Sequence, residues 1–281
     1  RGGLCKDRLT ENVVAALFTH DTSRALDPHL HTHCIVFNAT HDPVEQRWKA
    51  LQNYEMLRAR KYVENVYYHE LVRELRASGF EIRNRACGDF EVEGVSEELC
   101  DRFSKRHEQI DDALTKLLEE KPELAGGNFK DLRERLATAE RSRKQPDLGR
   151  TELSRLWWEQ ITPSEREGLL RLGNQLATQH HSTTKGDVGE AIAWAEEHLF
   201  DRHSVVSEHE LWLTALGRMR GVNVEVDAVK QFTKQRGYVR SEADQRELTV
   251  PLVLQREWEI VMAARDGMSA GDALVPSPLP L

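Results

Sequence analysis

The chain has 281 residues, which is enough for one large domain or two of ordinary size, each able to bury a hydrophobic core. Its formal net charge of −8 argues against a domain that adheres to nucleic acid through bulk positive charge, so any DNA contact must come from local patches. Four scattered cysteines without CxxC spacing favour reduced thiols in a cytoplasm, and no apolar run is long enough to cross a membrane.

The first residues, RGGLCKDRLTENVV, contain neither an initiator Met nor the pattern of a signal peptide. We therefore expect the chain to be an internal fragment of a longer protein. The absence of an export signal agrees with the cytoplasmic location that the cysteines favour.

Two short apolar-rich runs, at residues 13–20 and 30–40, predict neighbouring strands of one sheet. Asp27-Pro28 lies between them, where Pro fixes φ and Asp favours a turn. A third short strand is predicted at residues 47–50. From about Tyr54 the apolar period becomes helical and ends at Gly79, which is placed as a C-cap.

Alternating residues on either side of a turn with Gly88 then predict a hairpin at residues 80–92. Helical spacing follows, and Thr162-Pro163-Ser164-Glu165 marks a helix start with an N-cap, Pro at the first position and Glu at the third. A polar stretch at 179–187 looks like a boundary. The predicted helices cover residues 96–121, 130–143, 151–160, a segment from 163, 187–199, 208–216, 226–236 and 252–266. Ser207, with Glu210, is the predicted cap of the helix at 208–216.

Three histidines in the first two strands have a spacing that a divalent metal can use. His31 and His33 stand two apart and leave the same face of a strand, and the turn would bring His20 beside them. Cys34 points to the opposite face. Three neutral imidazoles with open positions are typical of a catalytic metal site, since structural zinc is usually closed by a fourth ligand. Mg²⁺, Mn²⁺ and Zn²⁺ all remain open.

The run FTHDTSRALDPHLHTHCIVFN, at residues 18–38, resembles the third conserved motif of conjugative relaxases of the MobF type, which belong to the HUH endonucleases. The segments YYHELVRELRASGFEI, FEVEGVSEELCDRFSKRHEQI and RERLATAERSRK follow in the order and approximate spacing of that family. Beyond Asp187, HLFDRHSVVSEHELWLTAL resembles the helical segment that opens the helicase portion of these polypeptides.

The resemblance implies a bacterial, cytoplasmic transesterase for single-stranded DNA. In such relaxases an N-terminal tyrosine attacks a phosphodiester at the plasmid transfer origin, and three histidines hold the metal that polarises the scissile phosphate. Carried over by position, the ligands are His20, His31 and His33. The family's tyrosines, and an acidic residue that orients one histidine, lie upstream, so we expect no catalytic nucleophile in this fragment. No GxxxxGK[ST] motif of a helicase motor is present.

Four residues are candidates for DNA contact. The resemblance places Ser23 and Arg24 where a guanidinium can contact a DNA phosphate. It also implies other conjugation proteins as partners. Arg143 and Lys144 belong to the basic run at 141–144, which can neutralise backbone phosphates but can equally be a solvated helix face.

The aromatic pairs have two interpretations each. Trp157-Trp158 either stacks DNA bases or puts one ring into a core, and the second is favoured. Tyr67-Tyr68 resembles a nucleophile pair but lies mid-helix downstream of the metal motif, so we interpret it as core packing. His29 shares the face of His31 and His33, yet is not one of the family's ligand positions.

We predict an α+β fold, with a partial antiparallel sheet of the HUH relaxase type followed by an all-helical segment. The predicted divisions are the C-terminal part of the relaxase domain at 1–178, a helical segment leading into the helicase region at 187–267, and a flexible tail at 268–281.

Two alternatives to the relaxase function stay open. One is a non-catalytic DNA-binding or interaction remnant of a relaxase. The other is a cupin-like metalloenzyme, which is disfavoured because cupins expect a glutamate soon after HxH and a barrel of many strands.

Overall fold

The computed structural model describes residues 8–85, 89–126, 128–139, 148–178 and 186–268. It has the predicted mixture of helices and small antiparallel sheets, so the α+β class is confirmed. The elements in chain order are β1 (Ala15–Thr22), β2 (Pro28–Val36), β3 (Thr40–Asp42), β4 (Arg47–Lys49), α1 (Asn53–Arg58), α2 (Arg60–Ala77), β5 (Ile82–Asn84), β6 (Phe90–Val92), α3 (Glu97–Arg102), α4 (Lys105–Glu120), a 3₁₀ turn (Pro122–Gly126), α5 (Phe129–Ala139), α6 (Arg150–Gln160), α7 (Pro163–Thr178), α8 (Val188–Phe200), β7 (Val206–Ser207), α9 (Glu208–Arg218), α10 (Val226–Gln235), β8 (Val239–Arg240), β9 (Glu247–Thr249) and α11 (Pro251–Gly267).

The chain divides into two compact units, and each is discontinuous in sequence. The first unit comprises Arg1–Tyr54 with Val92–Gln179, and the second comprises Glu55–Glu91 with His180–Leu281. The second unit thus contains α2, which the predicted division at 1–178 assigns to the relaxase part. The boundaries 1–178, 187–267 and 268–281 stay a prediction, and residues 269–281 of the predicted tail lie outside the described residues.

The first unit is built on the hairpin of β1 and β2. The strands pair antiparallel, with Ala15 opposite Val36 and His20 opposite His31, and the register shifts between His20 and Thr22. Large apolar side chains are exposed on both faces of this hairpin, because side chains alternate between the faces along each strand. The exposed ones include Leu17, Phe18, Leu30 and Ile35. Because a two-stranded hairpin is only marginally stable by itself, contacts at its loop matter for its geometry.

Several predicted elements are shifted or broken. The predicted strands at 13–20 and 30–40 are found at Ala15–Thr22 and Pro28–Val36, since Pro28 already lies in extended backbone. The predicted helix at 96–121 is two helices, because the Ser104 hydroxyl donates to the Cys100 carbonyl at 2.7 Å and the backbone there makes tighter i to i+3 bonds. The predicted turn at Gly88 lies outside the described residues.

The predicted helix start at Pro163 is confirmed, and its capping side chain also carries an ion pair. The Glu165 carboxylate accepts from the Thr162 backbone N–H at 2.8 Å and from Arg102 Nη1 at 2.6 Å. The hydrogen bond from Arg102, followed by those from Thr162, lowers the pKa of Glu165 from 4.5 to about 2. Glu165 therefore links the start of α7 to the end of α3.

We expect the contribution of Glu165 to stability to be lost in acid. Because its folded pKa lies below its unfolded value, this contribution is present above about pH 4.5 and disappears as the pH falls towards 2. The variant Glu165→Gln should therefore lose less stability than the parent between pH 5 and 3, measured as urea midpoints. The control Glu167→Gln removes an exposed partner of Arg171 and should follow the parent curve. A parent and Glu165→Gln with identical acid dependence would contradict this linkage.

The core of the second unit forms where α2, α8, α9 and α10 meet. Its buried apolar side chains come from all four helices and are Tyr62, Ala191, Ile192, Ala195, Leu199, Leu211, Trp212, Ala215, Leu216 and Val229, with Val206, Met219, Val224 and Leu248 from the connecting segments. The Trp212 indole N–H donates to the Thr233 hydroxyl at 2.9 Å, so the polar edge of this ring is satisfied inside the core. The helix caps are confirmed, since the Ser207 hydroxyl accepts from the Glu210 amide at 3.1 Å.

The prediction that residues 187–267 are all helical is wrong in one respect. A three-stranded antiparallel sheet in the order β7-β9-β8 joins these helices, with Val206 opposite Leu248. Its strands have two or three residues, which is too short for a period-two pattern to be recognised in sequence. None of the helices in the described ranges is both long and apolar enough to cross a bilayer.

The interpretation of Tyr67-Tyr68 as core packing is half right. Tyr68 is partly buried, and its ring packs edge-on against Phe90 at 6.1 Å and under the Arg220 guanidinium at 5.5 Å. Tyr67 is exposed instead. Adjacent residues on a helix point about 100° apart, so burial of one ring leaves the next near solvent.

Candidate metal centre

The hairpin brings the three predicted ligands together. His20 on β1 lies directly opposite His31 on β2, and His33 follows two residues later on the same face. The ring centroids are 5.5 Å apart for His20 and His31, 5.2 Å for His20 and His33, and 5.0 Å for His31 and His33. Cys34 pairs with Leu17 and points to the other face, as expected.

One hydrogen bond orients the central histidine. The Nδ1 atom of His31 lies 2.9 Å from the carbonyl oxygen of His29. Because a carbonyl can only accept, Nδ1 carries a proton, and in the neutral ring this tautomer leaves the lone pair on Nε2. Metal-bound histidines are commonly fixed in this way, with the second ring nitrogen bonded to a backbone carbonyl or a carboxylate.

The spacing of the three rings is compatible with a single metal ion. Two imidazoles bound through nitrogen to one tetrahedral ion have ring centres roughly 5 Å apart. The three observed separations agree with that value. Within residues 8–268, where described, no group of three or more His, Cys, Asp or Glu forms a ready-made metal site. Rotation about the side-chain torsions re-aims a ring nitrogen without moving the strand, so the ring separations remain compatible with one metal ion.

His29 lies beside this cluster. Its ring stacks on His31 with centroids 4.5 Å apart and an interplanar angle of 19°. Burial, followed by the neighbouring His31, lowers the pKa of His29 below its ordinary value. The ring thus lies beside the three imidazoles, and its own backbone carbonyl accepts the hydrogen bond from His31.

The loop between the strands uses the Ser23 side chain internally. The Ser23 hydroxyl oxygen accepts from the Ala25 amide at 3.1 Å and from the Asp27 amide at 3.2 Å, which closes a turn. This geometry favours a structural role for Ser23 over the predicted DNA contact. Arg24 is exposed on the same loop. Arg143 and Lys144 lie outside the described residues.

Trp157 and Lys105 hold this loop through contacts that the sequence does not indicate. The indole N–H of Trp157 on α6 donates to the Leu26 carbonyl at 2.6 Å. The ammonium of Lys105 on α4 lies 3.1 Å from Oδ1 of Asp27, whose side chain is almost fully buried. Sequence reasoning favours a core position for one ring of the tryptophan pair, and Trp157 is indeed half-buried, but nothing in the sequence indicates its hydrogen bond.

An open cleft of about 730 Å³ lies next to the loop within the first unit. Its floor is mainly apolar and is formed by Leu99 of α3, Phe103 between α3 and α4, and Ile110 of α4. His29 lies at its wall. This volume is in the range of small-ligand sites. The cleft therefore gives the neighbourhood of the histidines a concave surface.

The family is decided by comparison with known proteins. The family model described as TrwC relaxase matches residues 1–163, which is more than half of the chain and includes the whole histidine hairpin. The chain belongs to the TrwC relaxase family. The predicted resemblance to conjugative relaxases of the MobF type is thereby confirmed.

Individual relatives match parts of this relaxase-family chain. The multifunctional conjugation protein TraI of Escherichia coli K12 is 38% identical over 117 residues, which cover 38% of this chain and only 6% of TraI. The structure of TrwC complexed with a 27-mer DNA comprising the recognition hairpin and the cleavage site is 30% identical, with a TM-score of 0.46, over 54% of this chain and 52% of that one. A metal-bound structure of conjugative relaxase TrwC with oriT DNA is 28% identical, with a TM-score of 0.48, over 56% and 51%.

Proposed function

We propose that this chain is the metal-holding part of a conjugative relaxase that nicks and rejoins single-stranded plasmid DNA at a transfer origin. The observation that carries the proposal is the cluster of His20, His31 and His33, whose rings lie within 5.5 Å of one another on one face of a hairpin in a TrwC-family segment. Membership of this family disfavours the cupin-like alternative.

The ligand set suits phosphoryl transfer. Three imidazoles are neutral, so a divalent cation held by them keeps its full charge and supplies electrostatic stabilisation to oxygens of the scissile phosphate. His31 offers Nε2 because its Nδ1–H is held by the His29 carbonyl. His20 and His33 complete the set from the facing strand and from the same strand. Mg²⁺, Mn²⁺ and Zn²⁺ are all compatible with imidazole ligands in an open site.

The nucleophile in this proposal is a tyrosine upstream of the histidine motif, outside these 281 residues. Its phenolic oxygen forms a bond to phosphorus as the bond from phosphorus to the 3′ oxygen breaks, which leaves a 5′-phosphotyrosyl link and a free 3′-hydroxyl. Tyr67 and Tyr68 are not assigned this role, since Tyr68 packs against Phe90 within the second unit. By itself the chain should bind metal without cutting DNA.

Single-stranded DNA is the proposed partner, in the cytoplasm of a bacterium. Arg24 is the described residue best placed for a phosphate contact, because it is exposed on the loop between the histidine strands. Arg143 and Lys144 remain proposed contacts on the basis of the sequence. Residues 187–267 are proposed to lead into a helicase region of the parent protein.

The decisive experiment compares this chain with the same chain joined to its natural upstream segment. Each is incubated with Mn²⁺ or Mg²⁺ and with labelled single-stranded oligonucleotides tiled across the plasmid's transfer region, and covalent adducts are separated on denaturing gels. We expect an adduct only with the longer protein, only with metal, and only with oligonucleotides that span one site.

Two results would count against the proposal. If the longer protein binds metal through intact histidines but forms no adduct with any oligonucleotide, the enzymatic function is wrong and the non-catalytic remnant is favoured. If this chain alone forms the adduct, the nucleophile lies within these residues and its assignment upstream is wrong.

A further inference from the structure

The loop that joins the two histidine strands contains an uncommon backbone conformation. Leu26 has a φ of +63°, in the left-handed region, which is unfavourable for a residue other than glycine. The next residue, Asp27, is 2% exposed, so its carboxylate is almost completely removed from water. Neither feature would persist unless neighbouring groups held the loop in place.

Both residues are held from outside the hairpin. Trp157 on α6 donates its indole N–H to the Leu26 carbonyl at 2.6 Å, and Lys105 on α4 lies 3.1 Å from Oδ1 of Asp27. Lys105 is itself fixed, because its ammonium also donates to Gln160 Oε1 at 2.8 Å near the end of α6. Side chains of two helices, α4 and α6, thus contact two consecutive residues of the loop and hold them in place.

The fastened loop lies close in sequence to the ligands on both strands. The last pair of the ladder is Thr22 with Pro28, and the register shifts between this pair and the pair of His20 with His31. At such an irregularity the strand bends, so the position of the loop influences how the two strands meet at the histidines. The hairpin has no third strand among the described residues to fix it otherwise.

We propose that Trp157 and Lys105 are positioning residues of the metal centre. They set the position of the loop at residues 23–27, and through it the separation of His20 from His31 and His33. The inference rests on the proposed function for its meaning. Its structural content, which is that α4 and α6 determine the arrangement of the histidine rings, can be tested without metal or DNA.

The key variant is Trp157→Phe, which keeps an aromatic ring at this position but removes the indole donor. The matched control is Trp158→Phe on the adjacent position of α6, where the ring is exposed and lies 5.0 Å from the Arg166 guanidinium. Both proteins are titrated with Co²⁺, whose absorption spectrum reports coordination. We expect Trp157→Phe to bind Co²⁺ about 10–100-fold more weakly, as outer-shell changes do, and Trp158→Phe to bind like the parent.

A second measurement uses the metal-free proteins. The ring signals of His20, His31 and His33 in ¹H–¹⁵N NMR spectra should shift in Trp157→Phe and stay in place in Trp158→Phe. If neither the spectra nor the Co²⁺ affinity of Trp157→Phe differs from the parent, the positioning role is wrong. If the parent binds no Co²⁺ but the histidine signals still shift, the positioning role stands and the proposed metal function fails.

Two further variants test the role of Lys105 if Trp157→Phe does not fold. One is the single variant Lys105→Met, and the other is the double variant Lys105→Met/Asp27→Asn. Met keeps the apolar stem of lysine but leaves a buried carboxylate unpaired, which is strongly unfavourable. The double variant removes that charge, so it should fold better than the single one. We expect its histidine signals to differ from the parent, and unchanged signals would overturn the role of Lys105.

Discussion

Replacing His31 by alanine should strongly weaken metal binding by the hairpin. His31 lies opposite His20, and its Nε2 lone pair is presented by the bond from Nδ1–H to the His29 carbonyl. Loss of an outer-shell partner alone typically costs about 10–100-fold in metal affinity, so loss of this ligand should cost more than about 100-fold. Isothermal titration with Mn²⁺ or Zn²⁺ measures the change directly.

The matched control for this prediction is His29→Ala. It removes an imidazole stacked on His31 at 4.5 Å but keeps the backbone carbonyl that orients the ligand. We expect its metal affinity to change by less than about 10-fold, below the usual range for a true outer-shell loss. Equal losses in His29→Ala and His31→Ala would mean that the ligand set is wrongly assigned.

The second large effect concerns stability and comes from a glycine in the second unit. Gly221 has a φ of +72°, and a Cβ added there would lie 2.2 Å from Cγ1 of the fully buried Val72 on α2. The left-handed conformation costs a β-carbon about 1–2 kcal/mol, and overpacking against a buried side chain costs about 1–3 kcal/mol more. Gly221→Ala should therefore lower the free energy of unfolding by about 2–5 kcal/mol.

Gly217, four residues earlier, supplies a control of opposite sign. It lies near the end of α9 and is exposed, and a Cβ there meets no atom within 4 Å. Gly217→Ala should raise stability by up to about 1 kcal/mol, because alanine loses less backbone entropy in a helix. Urea denaturation followed by circular dichroism compares the two variants. If Gly221→Ala leaves the free energy of unfolding unchanged, α2 does not pack on this turn in solution.

The local pattern predicts the hairpin and its histidines well. Period-two alternation places His31 and His33 on one face and Cys34 on the other, and Asp27-Pro28 returns the chain beside β1, as the register shows. The caps at Thr162 and Ser207 are also found, because such motifs depend on residues within one helical turn. The strand ends shift by two to four residues, and β2 starts earlier than predicted because the turn residue Pro28 is already part of it.

Contacts between distant residues were not predicted. Helical period identifies α2, yet nothing in its sequence indicates that the Tyr62 ring stacks on His209 and packs at a tilt against Trp212. Nor does it indicate that the His69 ring donates to the Val224 carbonyl at 2.9 Å. These partners are about 150 residues away in the chain. Residues 55–91 are consequently grouped with the C-terminal residues, and local sequence patterns do not predict this grouping.

The sequence by itself determined the α+β class, the relaxase family and the three candidate ligands, because strand period, turn chemistry and the run at residues 18–38 are all local. Only the tertiary structure decided what holds the loop between the two histidine strands. The bond from Trp157 to Leu26 and the pair of Lys105 with the buried Asp27 join residues far apart in sequence. Such contacts depend on how helices pack, and no short-range pattern encodes that packing.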